Sequence, residues 1–216
     1  MKTQTRLALT IRWGLLMTLL VPQLSLADPW NTPATLSDSN TTVSFAVDST
    51  FHYVEGHTKG ITGRAWLESP SDYRSIRAEL SLPVAQFDTD SARRDARMRE
   101  VLHADTSPAV QVAVAGSDSV CDPDGITAAT PCSMALTTKL TINQTTKTMS
   151  IPATITRNGD SFIVTGSSSL QWADYGVEDP SILIARLDPT VTINFSITLN
   201  PTSNSQPVPE SLHAQH

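Results

Sequence analysis

TTVSFAVDSTFHYVEGHTKGITGRAWL, residues 41–67, opens with an alternation that places Val43, Phe45 and Val47 on one face. This period of two is typical of a half-buried strand, because successive side chains of a strand point to opposite faces. A run interrupted by glycines follows, and Gly63 falls within a second apolar stretch, where glycine indicates a bend or a close backbone approach. The stretch therefore predicts two antiparallel strands in a sheet that starts to curl into a barrel.

Similar alternation recurs at regular spacing along the rest of the chain. A helix is predicted over residues 89–103. Arg94, Met98, Val101 and Leu102 are spaced three and four positions apart, and they follow Ser91, a typical N-cap residue. The other periodic segments are predicted strands: 76–87, 110–114, 134–142, 149–155, 162–172 and 190–199. Because the chain has no strand–helix–strand rhythm, we predict an all-β protein, a single antiparallel barrel of about eight strands with one short helix. About eight strands enclose enough space for one elongated ligand.

The first 27 residues have the pattern of a targeting segment. Basic residues precede an apolar run, and residues 25–27 are Ser-Leu-Ala, which suits a cleavage site. We expect a signal peptide and a periplasmic or secreted mature chain with no membrane span; an N-terminal membrane anchor is the alternative. The predicted organisation is a signal peptide at 1–27, an arm at 28–40, a barrel domain at 41–200 and a disordered tail at 201–216.

Charge excludes two classes of partner. The chain has 21 acidic and 15 basic residues, and removal of the first 27 residues, which hold three of the basic ones, leaves a net charge of −9. This balance argues against nucleic acid and against anionic membrane surfaces as partners. The composition leaves a homodimer open.

The sequence contains no catalytic or cofactor-binding motif of the common kinds. G-x-S-x-G, G-x-G-x-x-G, the phosphate-binding loop and H-E-x-x-H are all missing, so we expect no enzymatic activity and no cofactor. His52, Glu55 and His57 have the side chains of metal ligands. In a regular strand Glu55 and His57 share a face and His52 lies opposite, which favours a histidine at the barrel mouth over a metal site. A metal-binding protein is kept as an alternative.

Two cysteines, Cys121 and Cys132, enclose the turn-rich segment CDPDGITAATPC. In an exported protein, two cysteines this close most simply form one disulfide that closes a loop. A zinc site would require more ligands at shorter spacing, and no histidine lies between the two cysteines. We therefore predict a Cys121–Cys132 disulfide.

The inward-facing residues predict an interior that its own side chains fill incompletely. They carry almost no charge, and several are small, including Gly63, Ala65 and Gly166. Because protein interiors are close-packed, an under-filled apolar barrel implies either a ligand or a repacked solid core. The residues predicted to line the lumen are Phe45, Val47, Phe51, Ile61, Gly63, Ala65, Leu80, Leu82, Met98, Val112, Val114, Phe162, Val164, Ile193 and Phe195.

Arginines on the predicted helix allow two interpretations. They either pair with neighbouring carboxylates on a solvated face or form a cationic rim that meets an anionic headgroup. The candidates for contact with a headgroup are His52, Arg94 and Arg97.

Four motifs occur in an order that a known family shares. F-x-V-x-S-x-x-H-x-V-x-G-x-x-x-G-x-x-G spans residues 45–63, and R-D-x-x-M-R spans 94–99. L-T-I follows at 140–142 and D-Y-G-V at 174–177. In this order they resemble the YceI-like family of polyisoprenoid-binding, lipocalin-like proteins, and the resemblance covers residues 41–199.

The resemblance implies an exported lipocalin-like barrel without catalytic residues. Its lumen would hold a long-chain isoprenoid or similar amphipathic lipid, such as polyprenyl phosphate or a quinone. The chain departs from the family at Gln144, where a turn glycine is usual, in the enlarged loop that holds the two cysteines, and at residues 178–180 after the D-Y-G-V run. A stress-related protein with a filled barrel and no lipid ligand is the alternative.

Overall fold

The computed structural model describes residues 33–69, 72–122, 125–179, 181 and 186–200. The predicted signal peptide at 1–27 and the predicted tail at 201–216 lie outside these residues. In the described ranges, no helix has both the length and the apolar character that crossing a membrane requires.

Strands make up most of the described chain. They are β1 (Ala34–Ser37), β2 (Thr41–Asp48), β3 (Tyr53–Thr58), β4 (Thr62–Leu67), β5 (Ile76–Pro83), β6 (Phe87–Asp88), β7 (Ala109–Ser117), β8 (Cys132–Ile142), β9 (Thr145–Asn158), β10 (Ser161–Gln171) and β11 (Thr190–Leu199). One α-helix, α1, spans Ala92–Val101, and a short 3-10 turn, Trp172–Tyr175, follows β10.

The described strands form one antiparallel sheet in the order β1-β4-β5-β7-β8-β9-β10-β11-β2-β3-β6. The sheet curls around a shared interior; on β8, for example, Leu136, Leu140 and Ile142 are buried and point inward, while Lys139 between them is exposed. This confirms the predicted all-β antiparallel barrel with one short helix. No ladder joins β1 to β6 in the part of the chain that is described, so the barrel is a curled sheet with two ends.

The described strands exceed the predicted eight by three, which are β1, β3 and β6. β1 forms within the predicted arm at 28–40, and its Leu36, which pairs with Gly63, is only 1% exposed. β3 has six residues and β6 has two. β1 and β6 offer too few positions for a period of two to be recognised, whereas β3 lacks an apolar alternation because two of its three buried positions are Gly56 and Thr58.

Two glycines in the sheet mark close contacts rather than empty space. A Cβ at Gly63 would overlap the carbonyl oxygen of Glu79 on β5, as expected for a close backbone approach. At Gly166, the ring of Phe195 from the neighbouring β11 takes the space of a side chain. The prediction that Gly63 and Gly166 leave volume unfilled is therefore wrong, because neighbouring strands occupy both positions.

Helix α1 is shorter than the helix predicted over 89–103. Ser91 occupies the N-cap position, but its side chain makes no capping hydrogen bond. Thr89 is instead held by Asp95, whose Oδ1 accepts from Thr89 N at 3.0 Å and from Thr89 Oγ1 at 2.6 Å. The chain that enters the helix is thereby fixed to its first turn.

The β8–β9 hairpin accommodates a residue that departs from the family pattern. Asn143 and Gln144 both have positive φ, 48° and 62°, and Ile142 pairs with Thr145 across them. Two consecutive left-handed residues are typical of the type I′ turn, which suits the twist of a tight antiparallel hairpin. Gln144 therefore adopts the conformation that a turn glycine would take.

The disulfide between Cys121 and Cys132 is present, with a Cα–Cα distance of 6.0 Å, and confirms the predicted pairing. Cys132 is the first residue of β8 and is 2% exposed. The bridge therefore ties the loop that follows β7 to the buried start of the next strand.

Asp38, in the turn between β1 and β2, is expected to make stability depend on pH. Its carboxylate accepts from Gly60 N and Ile61 N, both at 2.8 Å, and these two bonds lower its pKa, Gly60 having the larger effect. A group with a depressed pKa in the folded state stabilises the fold above its ordinary value, about 3.9 for Asp, and loses this contribution as pH falls through the folded value.

We therefore expect Asp38→Asn to lower the urea midpoint at neutral pH. The difference from the wild type should shrink as pH falls below about 4. Asp105→Asn, at an exposed carboxylate, is the matched control and should track the wild type throughout. An Asp38→Asn deficit that stays constant at all pH values would contradict this expectation.

Candidate ligand-binding cavity

The curled sheet encloses a cavity of about 360 Å³. Every described strand except β1 contributes side chains to its wall, and α1 contributes four. The wall is almost entirely apolar, and the volume falls within the range of about 300–1,000 Å³ that is usual for ligand pockets. The cavity is therefore large enough to accommodate part of an extended apolar molecule.

The structure places eleven of the fifteen predicted lumen residues in the cavity wall. They belong to strands with a clear alternation, or to α1. These eleven are Phe45, Val47, Ala65, Leu80, Leu82, Met98, Val112, Val114, Val164, Ile193 and Phe195.

Four predicted lumen residues lie elsewhere. Phe51 is 66% exposed in the loop between β2 and β3, where the alternation has ended. Ile61 is buried in the core but follows the turn at Gly60 and does not reach the cavity. Gly63 faces the backbone of β5, and Phe162 packs beside Tyr73 in a smaller space next to the cavity.

Part of the wall comes from segments without periodicity, which the sequence did not single out. Trp172 and Val177 reach the cavity from the 3-10 turn after β10 and the loop beyond it, and Leu187 reaches it from just before β11. Thr138 is fully buried in the wall, in phase with the apolar residues of β8. The sequence could have identified Thr138, because it lies an even number of residues from the inward-facing Leu136 and Leu140 of β8.

The D-Y-G-V loop is fastened to neighbouring elements. Lys147 Nζ lies 3.1 Å from Asp174 Oδ1 and 6.0 Å from the ring centroid of Tyr175. Burial, and secondarily the charge of Asp174, raises the pKa of the Tyr175 phenol, which is therefore neutral at ordinary pH. Asn143 Nδ2 donates to Gly176 O at 3.2 Å. These contacts hold the loop that brings two apolar side chains into the wall.

Among the described residues, the wall contains only two charged side chains, Arg94 and Arg97 of α1. Arg94 donates from Nε to Thr89 Oγ1 at 3.3 Å and from Nη2 to Thr89 O at 2.6 Å. Arg97 Nη1 lies 2.8 Å from Glu100 Oε2. Arg94 is exposed and the Arg97 side chain is 42% exposed, so both join the cavity to solvent and mark a mouth.

His52, the third headgroup candidate, does not lie in the wall. It is exposed in the loop between β2 and β3 and is absent from the residues that surround the cavity. The contact of His52 with a headgroup therefore stays a prediction.

His52, Glu55 and His57 do not assemble into a ligand set. His57 Nε2 lies 3.9 Å from Asp88 Oδ2, on the strand next to it. No group of three or more His, Cys, Asp or Glu side chains suited to a metal ion occurs within the described ranges.

Solved structures that share this fold include the following three. BcnA of Burkholderia cenocepacia aligns with a TM-score of 0.60 at 20% identity, covering 73% of this chain and 95% of that one. A polyisoprenoid-binding domain from Saccharophagus degradans gives 0.61 at 13% identity, covering 78% and 97%. The YceI protein of Campylobacter jejuni gives 0.57 at 14% identity, covering 70% and 86%. At these identities the likeness shows a common fold.

Sequence comparison identifies the family. No curated protein matches the chain. The family model described as a YceI-like domain matches residues 35–199, which run from β1 to the end of β11. The strand order, the apolar cavity and this match agree, and the chain belongs to the YceI-like family.

Proposed function

We propose that this protein is an exported carrier that holds a long-chain isoprenoid or a similar amphipathic lipid inside its barrel. The observation that carries the proposal is the apolar cavity of about 360 Å³, whose wall is built from side chains of ten strands, β2 to β11. A structural neighbour described as a polyisoprenoid-binding domain supports the same assignment.

The chemistry of the wall suits a hydrocarbon chain. Each methylene transferred from water to such a surface contributes about 0.8 kcal/mol. The few polar side chains of the wall are the two arginines at the mouth and the hydroxyls of Thr58, Thr89, Thr138 and Ser168. An apolar chain therefore leaves few buried polar groups without partners when it binds.

We propose a binding role rather than a catalytic one. The only titratable side chains in the described wall are Arg94 and Arg97, and a guanidinium does not lose its proton in proteins. The wall itself therefore offers no general base that could activate one of its hydroxyls as a nucleophile.

Export is part of the proposal. The pattern of residues 1–27 favours a secretory signal, and the Cys121–Cys132 disulfide suits an oxidising compartment. Both features support a periplasmic or secreted protein.

The proposal is tested with isoprenoid alcohols of increasing length, from prenol through geraniol and farnesol to geranylgeraniol. Displacement of a fluorescent apolar probe from the purified protein gives their affinities. We expect at least about a tenfold gain per isoprene unit until the cavity is full, because burial grows with each carbon. Equal, weak affinity for all four alcohols would contradict a chain-binding lumen and favour a filled barrel.

A further inference from the structure

The two charged side chains of the described cavity wall come from the same helix. Arg94 and Arg97 are three residues apart on α1, so their side chains are neighbours on the helix surface. Both contact the cavity and remain accessible to solvent. Arg93 and Arg99, on the same helix, do not line the cavity. Two of the four arginines of α1 are thus directed to the place where a bound chain would end.

Arg94 is held in place without being neutralised. Its two hydrogen bonds to Thr89 go to a hydroxyl and a carbonyl. The nearby carboxylate of Asp95 is buried and accepts both of its bonds from Thr89. No carboxylate within the described ranges lies within salt-bridge distance of Arg94. A guanidinium has five N–H donors, so Arg94 keeps donors and a full charge for another partner.

Arg97 is paired, but weakly. Its partner Glu100 has a side chain that is 70% exposed, and exposed ion pairs contribute little because water and salt screen them. A stronger anion at the mouth can therefore compete with Glu100 for Arg97. The mouth combines one uncompensated guanidinium with a second that is easily released.

We propose that this mouth selects an amphiphile with an anionic phosphate headgroup over one with a neutral headgroup such as a quinone. The inference rests on the proposed carrier function and names the class of its cargo. Hydrogen bonds between a guanidinium and a phosphate join two charged groups and are about twice as strong as bonds between neutral ones. A neutral headgroup would leave Arg94 without its best partner.

The test compares two ligands with the same chain, geranylgeranyl phosphate and geranylgeraniol, at a pH where the phosphate is doubly charged. We expect the wild type to prefer the phosphate by at least about tenfold, because hydrogen bonds between two charged groups are stronger than those to a neutral hydroxyl. Arg94→Gln should reduce this ratio to a few-fold or less, whereas Arg94→Lys should retain part of it. Arg93→Gln is the matched control and should keep the wild-type ratio.

Glu100→Gln supplies a test of opposite sign. Removing the carboxylate releases Arg97, so the preference for the phosphate should rise by about two- to threefold. Inorganic phosphate is tested as a competitor to separate a lipid headgroup from free phosphate. If it binds as tightly as geranylgeranyl phosphate, the site is one for free phosphate and the headgroup proposal is overturned.

The remaining outcomes separate this inference from the carrier function. Wild-type protein that binds both lipids equally contradicts the headgroup proposal and leaves the carrier function intact. Equal loss of the ratio in Arg94→Gln and Arg93→Gln also contradicts it, because the effect is then general to the helix. If neither lipid binds, the carrier function itself fails.

Discussion

Val112→Trp is expected to weaken the binding of geranylgeraniol by at least about 100-fold while leaving the protein folded. Val112 lies on β7 between Leu80 and Leu140 of the two neighbouring strands, and all three line the cavity. An indole at this position occupies space that about four carbons of the ligand would otherwise fill. At about 0.8 kcal/mol per methylene, the loss is roughly 3 kcal/mol, or about 100-fold in affinity.

The free energy of unfolding of Val112→Trp also distinguishes a hollow lumen from a close-packed one. In a close-packed core the extra volume would destabilise the fold by about 1–3 kcal/mol, because neighbours would be forced out of their rotamers. In a hollow lumen the indole enters existing space and gains apolar contact. Urea unfolding of Val112→Trp should therefore give a free energy of unfolding close to that of the wild type.

Gln111→Trp is the control for this substitution. Gln111 is the preceding residue of β7, is exposed and points away from the cavity. It should bind geranylgeraniol as the wild type does. Unchanged binding by Val112→Trp, or equal loss in both variants, would show that the lumen is not where the ligand lies.

Removal of the disulfide is expected to lower the free energy of unfolding by about 2–3 kcal/mol. Cys121 and Cys132 are 11 residues apart, so the bridge closes a short loop and restricts the unfolded chain. The double variant Cys121→Ala/Cys132→Ala removes this restriction without placing a new polar group at the buried position 132. Urea unfolding of the oxidised wild type and the variant measures the difference.

Reductant provides the control for the disulfide. It should destabilise the wild type by a similar amount and leave the double variant unchanged. Neither cysteine lines the cavity, so we expect little change in lipid affinity. A double variant as stable as the oxidised wild type would contradict a stabilising role for the bridge.

Most of the strands that could be predicted from the sequence are long and direct one face to the interior. β2, β8 and β11 alternate over eight to eleven residues, and each contributes side chains to the cavity. β1 and β6 are short, and they form because longer strands are present to pair with. A pairing that depends on a partner distant in sequence leaves no local pattern to read.

The sequence predicts which aliphatic side chains face the lumen, but it does not predict how side chains of neighbouring strands pack against one another. Phase alone identifies Val112 and Ile193 as inward-facing. It does not reveal that the ring of Phe195 lies over Gly166, because the register between two strands is not encoded in either one. The sequence therefore predicts empty space at Gly166, where the ring of a neighbouring strand fills it.

The residues at the mouth of the cavity could be predicted only on α1, where the helical period shows which side chains are neighbours. Arg94 and Arg97 are three residues apart, and the helix carries both to the cavity. His52 follows the end of β2, where a period of two no longer tells which way a side chain points. Loop geometry likewise decides that Trp172 and Leu187 complete the wall.

Native mass spectrometry tests the central claim most directly. The protein is expressed with its N-terminal segment, purified from the exported fraction without detergent or added lipid, and measured with its non-covalent contents intact. We expect a species heavier than the chain by the mass of one amphiphile with a long apolar tail, and we expect Val112→Trp prepared in parallel to lack it. Wild-type protein that is always free of lipid, and that takes up neither geranylgeraniol nor geranylgeranyl phosphate when these are supplied, would contradict the carrier function.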